Sequence, residues 1–196
     1  MNRSTRRLLA LAAGLLPAAA MAHSEAGGRG ALDGFLHPVL GLDHLCAMLS
    51  VGIVSARMGG RAIWTVPATF VLAMIVGGIL GLAGIALPYV EFGVALSVLA
   101  LGCAIVFVKR STSVLLTMAF VACFGILHGH AHGVEAPQNA SPFFYSFGFI
   151  VSTSLIHLAG VFIGHGVMVQ ERVKHATTYL GIAISVAGLY FLRALV

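Results

Sequence analysis

The sequence predicts an all-α, polytopic membrane helix bundle of six transmembrane helices after a cleaved signal peptide. Three observations carry that prediction: the composition, the length of the apolar runs, and the alternation of charge between them. Of 196 residues, 59% are hydrophobic and 9% charged, with mean hydropathy +1.01. Soluble domains carry about a quarter charged residues, so this is the composition of a chain dissolved in lipid. A net charge of +5 raises the question of nucleic acid. The bases are scattered in short clusters between apolar runs and form no continuous patch, which excludes that partner. Cys46, Cys103 and Cys123 all fall inside apolar runs. An odd number of such thiols excludes a disulfide framework, and each reads as a small buried apolar residue.

The N-terminus reads as a targeting segment. Arg3, Arg6 and Arg7 precede a short apolar stretch from Leu8 to Leu16, then Pro17, then the small-x-small pattern Ala20-Met21-Ala22. The run is too short to span a bilayer comfortably. It is expected to be a signal peptide over 1–22, with an uncleaved signal anchor as the alternative. The mature chain, 23–196, then starts outside the cytoplasm at His23.

Six apolar segments follow: Pro38–Ala56, Ala62–Leu87, Val90–Val108, Ser113–His132, Pro142–Val169 and Ala176–Ala194. Each is near the roughly 20 residues a helix needs to cross about 30 Å of hydrocarbon. Helices are required there because their backbones satisfy themselves. No hydrophilic stretch is long enough for a soluble domain. Arg57 with Arg61, Lys109 with Arg110, and Arg172 with Lys174 fill alternate loops, while Pro88–Glu91 and Gly133–Ser141 hold no lysine or arginine. Positive-inside puts the basic loops in the cytoplasm, and both mature termini outside. Ala73, Gly77 and Gly81, and in the last segment Gly181, Ser185 and Gly188, provide small faces for close helix packing.

Polar side chains are rare enough in these runs to stand out. Beside lipid they are costly unless they pair or line a cavity. His128-Gly129-His130-Ala131-His132-Gly133-Val134-Glu135 closes the fourth segment. His128, His132 and Glu135 are spaced i, i+4, i+7 and share one helical face. His130 points elsewhere unless the helix unwinds at Gly129 and Gly133. Imidazole nitrogen with carboxylate oxygen suits a borderline divalent metal; the plain alternative is a helix C-terminus capped by histidines.

A second motif, His37-Pro38-x-x-Gly41-x-Asp43-His44, opens the first segment on the same side. Pro38 suits a first helical position, and His37 and His44, seven apart, share a face with Gly41 between them. Asp43 is about 100° from His44. It ligates only if the helix is distorted, and otherwise orients a histidine and fixes its tautomer or serves as an N-terminal charge partner. Thr153, His157 and Gly164 make a polar stripe on the fifth segment. His157 is placed past the bilayer midplane by counting turns, either as a hydrogen-bonded core residue or along an ion path. Glu91 joins the same outer site or acts as a dipole partner of its own helix. His23, as a mature N-terminal residue, offers an amine and an imidazole to a metal; a frayed terminus is the alternative.

The two motifs together resemble the HupE/UreJ family of small bacterial membrane proteins associated with nickel or cobalt uptake for hydrogenase and urease maturation. The positions filled are His37, Pro38, Gly41, Asp43 and His44, then His128, Gly129, Ala131, His132, Gly133 and Glu135. The resemblance covers the mature chain from about His23 to the last segment; His130 falls at a variable position of the pattern. It implies a metal permease of the bacterial inner membrane rather than an enzyme, and supplies the preference for Ni²⁺ with Co²⁺ accepted. The residues alone give only a divalent cation. On this reading His37, His44, His132 and Glu135 capture the ion outside, with His128 and Asp43 as ligands or supports, and the ion descends past His157. Its partners are the ion and the bilayer, with no permanently bound cofactor; a homo-oligomer is compatible with such a chain. Neutral imidazole is the ligand form, so capture is expected to weaken below about pH 6.5. No Walker-type phosphate loop occurs in the chain, so ATP-driven transport would need another subunit. The rival reading is a membrane metalloenzyme with the same ligands. Its variant is a bis-histidine haem protein using His128 and His157, whose counted depths differ by several turns.

Overall fold

The computed structural model describes residues 26–137, 141–169 and 175–195. The expected signal peptide, His23, Arg172 and Lys174 lie outside the described residues. Those described form seven helices and no strand: α1 Ala26–Leu40, α2 Leu42–Met58, α3 Ala62–Leu82, α4 Val90–Phe107, α5 Val114–Val134, α6 Pro142–Val169 and α7 Ala176–Ala194. Helices α3 to α7 are each long and apolar enough to cross a membrane. The pair α1–α2, bent by 79°, makes a sixth span if counted as one. Large apolar side chains, among them Trp64, Phe107, Leu115 and Phe162, face outward from the bundle. In water such a surface would drive association; against acyl chains it is the matching solvent.

Element ends follow local chemistry. At the start of α5 the Ser113 hydroxyl accepts from the Leu116 backbone N–H at 3.4 Å, so Ser113 caps the helix rather than opening it. Helix α3 stops at Leu82, short of the expected Leu87. Gly84 takes φ 71°, and the N–H groups of Gly84 and Ile85 turn back to the carbonyls of Gly81 and Leu80, both at 3.0 Å. That is a Schellman ending, open to glycine because it lacks a Cβ.

The first segment departs most from expectation. Pro38 is not a first helical residue: it lies inside α1, whose start is well upstream at Ala26. The chain breaks at Gly41, which is extended at φ −79°, ψ 107°, and α2 begins beyond it. His37 and His44 therefore sit on different helices and share no face. Helix α1 is secured by α6: a Cβ on Gly34 would strike the Tyr145 carbonyl, and one on Gly148 the Ala31 carbonyl. Tertiary packing overrides the poor helix propensity of a glycine-rich start.

Backbones also meet closely elsewhere. Helix α3 lies along α5, where Gly77 faces the Ile126 carbonyl and Gly129 the Met74 carbonyl. Helix α4 lies along α7 through Gly102, Gly181 and Ser185, and α2 along α6 through Gly52 and Gly160. The faces at Gly77 and at Gly181 and Ser185 are those expected from sequence; the Gly52–Gly160 contact was not among them. The glycines of the histidine motif serve this packing, so α5 stays helical through Val134 and does not unwind. The cysteines are not all core residues: Cys46 and Cys103 are half-buried and Cys123 is exposed. At the end of the bundle away from the histidine cluster, Arg57 Nη1 donates to Thr177 Oγ1 at 2.6 Å, tying α2 to α7.

Candidate metal centre

The bend at Gly41 and the face of α5 converge on one point. His37 comes from the last turn of α1, Asp43 and His44 from the first turn of α2, His128 and His132 from the last two turns of α5. Glu135 caps α5, its backbone N–H bonded to the Ala131 carbonyl at 3.0 Å. The close approach of Gly129 to Met74 brings α5 against α3, while His128 and His132 turn their rings toward α2 and α1.

The imidazoles form a file. Ring centroids lie 4.7 Å apart for His37–His132, 4.3 Å for His132–His44 and 4.7 Å for His44–His128. The file runs from exposure to burial: His37 and Glu135 keep a third to a half of their side-chain surface, at 33% and 48%, whereas His128 is fully buried. Beyond His128 the phenyl ring of Phe70 lies 5.6 Å away, and on that same ring, at 5.2 Å, sits His157. One phenyl ring therefore separates His128 from His157, and a Cβ on Gly52, further along α2 than His44, would strike the His157 carbonyl. The buried phenyl lies against both imidazoles, where the macrocycle of a bis-histidine haem would have to sit.

At the exposed end, His37 Nε2 donates to Glu135 Oε2 at 3.1 Å. This bond is the main cause that holds the Glu135 carboxyl below its ordinary value. One donor atom each from His37, His132 and Glu135 falls within 4.8 Å of the others, close enough to share one cation. Asp43 is turned to His44: its Oδ1 accepts from the ring Nδ1 and from the backbone N–H of that residue, both at 2.8 Å. Among the described residues the remaining nitrogen, His44 Nε2, is buried and has no partner; nor do His128 Nδ1, either nitrogen of His132, or either nitrogen of His157. An unpaired buried polar group typically costs about 1–3 kcal/mol, so this concentration of unpartnered ring nitrogens in an apolar bundle can be offset by a polar or cationic guest. A cavity of about 160 Å³ flanks His132, lined by Met74, Gly78, Gly129, Gly133, Tyr145 and Phe149.

The other named residues stand apart. His130 points away from the file, and its Nε2 donates to the Ile85 carbonyl at 2.7 Å, pinning the α3–α4 turn. Glu91 is exposed in the first turn of α4, outside the cluster. Thr153, buried one turn before His157, has an unpartnered hydroxyl. Sequence reasoning missed two residues that touch His128: Phe70, which carries no signal in an apolar run, and Ser97, whose Oγ lies 2.8 Å from His128 Nε2. The one available signal for Ser97 is a lone hydroxyl in the middle of an apolar helix.

Fold and site together define a polytopic helical membrane protein with a histidine-lined interior opening on a carboxylate. The family model for the HupE / UreJ protein matches residues 10–191. Protein HupE of Rhizobium leguminosarum bv. viciae is 42% identical over 161 residues, which is 82% of each chain. No solved structure matches. The chain belongs to the HupE/UreJ family, whose association is with nickel and cobalt transport.

Proposed function

We propose that this protein is a secondary permease for a divalent transition metal, Ni²⁺ preferred and Co²⁺ accepted. It takes the ion across the bacterial inner membrane in support of urease or hydrogenase maturation. The observation that carries this reading is the file of imidazoles whose free nitrogens run inward from the His37–Glu135 mouth. Residues 1–22 are a signal peptide and 23–196 the transport domain, with mature termini on the periplasmic side. The positive-inside loops then turn the mouth to the periplasm.

His37, His132 and Glu135 receive the ion, and nitrogen with carboxylate oxygen suits a borderline dication. His44 and His128 take it inward, with Asp43 steadying His44. His157, beyond Phe70, is the next nitrogen on the path. The membrane potential drives the ion inward, worth about 2.3 kcal/mol per charge per 100 mV.

The test is uptake of radioactive nickel and cobalt, at trace concentration, in cells lacking other importers. Wild type is expected to accumulate nickel above an empty-vector control. Accumulation equal to the control would sink the permease reading. Normal transport by well-expressed His44→Ala and His132→Ala would sink the site while leaving the activity.

A further inference from the structure

Ser97 is fully buried in α4, and its hydroxyl has two neighbours. Its Oγ lies 2.6 Å from the Val94 carbonyl oxygen and 2.8 Å from His128 Nε2. A carbonyl only accepts, so the single hydroxyl proton goes to Val94. Toward His128 the serine oxygen is then the acceptor, and Nε2 must carry the ring hydrogen. A neutral imidazole has one N–H and one lone pair, so the lone pair of His128 is on Nδ1. That atom is buried and has no partner among the described residues.

The neighbouring ring is fixed in the opposite sense. The Asp43 carboxylate only accepts, so His44 Nδ1 carries hydrogen and Nε2 is left bare, again buried and unpartnered. The His44 and His128 rings meet edge to face at 4.7 Å, and His132, with both nitrogens free, lies 4.3 Å from His44.

We propose that Ser97 is a positioning residue that holds His128 as its Nε2–H tautomer. Nδ1 thereby becomes a donor for the transported cation as it passes inward from His132 and His44. The inference rests on the permease reading for the identity of the guest. This inner stretch of the file offers imidazole nitrogens in place of the carboxylate at the mouth. A softer, all-imidazole set favours nickel and cobalt over magnesium and calcium, which prefer oxygen. Orienting partners of this kind are typically worth about 10–100-fold in metal affinity.

The test uses the full-length protein purified in detergent, titrated calorimetrically with nickel chloride, alongside ¹⁵N NMR of its histidines. The expected results are an Nε2–H signature for His128 and, in Ser97→Ala, a mixture of tautomers with nickel bound about 10–100-fold more weakly. Ser97→Thr, which keeps the hydroxyl, restores affinity. Ser55→Ala is the control for a lost buried hydroxyl, since Ser55 bonds only the Gly52 carbonyl of its own helix, at 2.7 Å; it should bind as wild type. An Nδ1–H signature at His128 in wild type would overturn the proposal. So would wild-type nickel affinity in Ser97→Ala. Nickel binding is read separately from the tautomer: if wild type binds no nickel, the metal reading itself fails, and if His132→Ala binds as wild type, the site assignment fails, whatever Ser97 does.

Discussion

The imidazoles of His132 and His44 lie 4.3 Å apart between ring centroids, tilted by 57°, although they come from helices far apart in the chain. His132 also meets His37 at 4.7 Å, and neither of its nitrogens has a partner among the described residues. It is the one imidazole common to the exposed mouth and the buried histidine pair. His132→Ala is therefore expected to reduce nickel uptake to the empty-vector level, while His37→Ala raises the KM for uptake and keeps most of the maximal rate. Concentration-dependent uptake at matched expression separates the two. Equal defects in both parameters for both variants would remove the distinction between mouth and interior.

Asp43 holds His44 by two bonds to one carboxylate oxygen, from the ring and from the backbone, each 2.8 Å. Asp43→Ala releases the ring and removes the charge that makes it a better donor. Nickel affinity is expected to fall by about 10–100-fold. Asp43→Asn keeps an acceptor for Nδ1–H and should cost less. Calorimetric titration of the purified variants checks the order; wild-type affinity in Asp43→Ala would show that His44 needs no support.

The motif on α5 was legible in the sequence because one rigid periodicity fixes it: i, i+4, i+7 on a straight helix puts His128, His132 and Glu135 together and turns His130 away. The motif at His37 was legible as composition and not as geometry. A break of one residue at Gly41 rotates His37 out of the face of His44, and local sequence does not distinguish a glycine that bends a helix from one that packs inside it. The start of α1 was missed because its stability comes from α6, through contacts between residues more than a hundred positions apart. The nearness of His157 to His128 was missed because the phenyl ring that joins them, Phe70, comes from a third helix. Ser97 was invisible because its role depends on a neighbour from another helix.

Gly129 has a structural role that its place in the histidine motif conceals. A Cβ there would strike the backbone carbonyl of Met74, which no side-chain rotation relieves. Gly129→Ala must push α5 off α3, and overpacking of this kind costs about 1–3 kcal/mol, occasionally more. The expected outcome is a lowered melting temperature in detergent together with reduced uptake, since His128 and His132 move with the helix. Gly166→Ala is the comparison, because a Cβ at that position meets nothing within 4 Å. Equal melting temperatures for the two variants would mean the α3–α5 contact is looser than it is drawn.

The His37–Glu135 pair sets a pH dependence whose sign can be worked out. The hydrogen bond from His37 Nε2, at 3.1 Å, is the main cause that lowers the Glu135 carboxyl below its ordinary value of 4.5. A group whose folded pKa is depressed stabilises the fold above its ordinary pKa and loses that contribution as pH falls through the lower, folded value. Glu135 therefore stays ionised while pH drops from about 7 to about 5, and its carboxylate causes no change of uptake over that range. Glu135→Gln should transport less than wild type by the same factor at every pH within it. In a carboxyl ¹³C titration, His37→Ala should return the Glu135 pKa upward toward 4.5. A ratio of Glu135→Gln to wild-type uptake that changes between about pH 7 and 5 would show that the carboxylate titrates in that range.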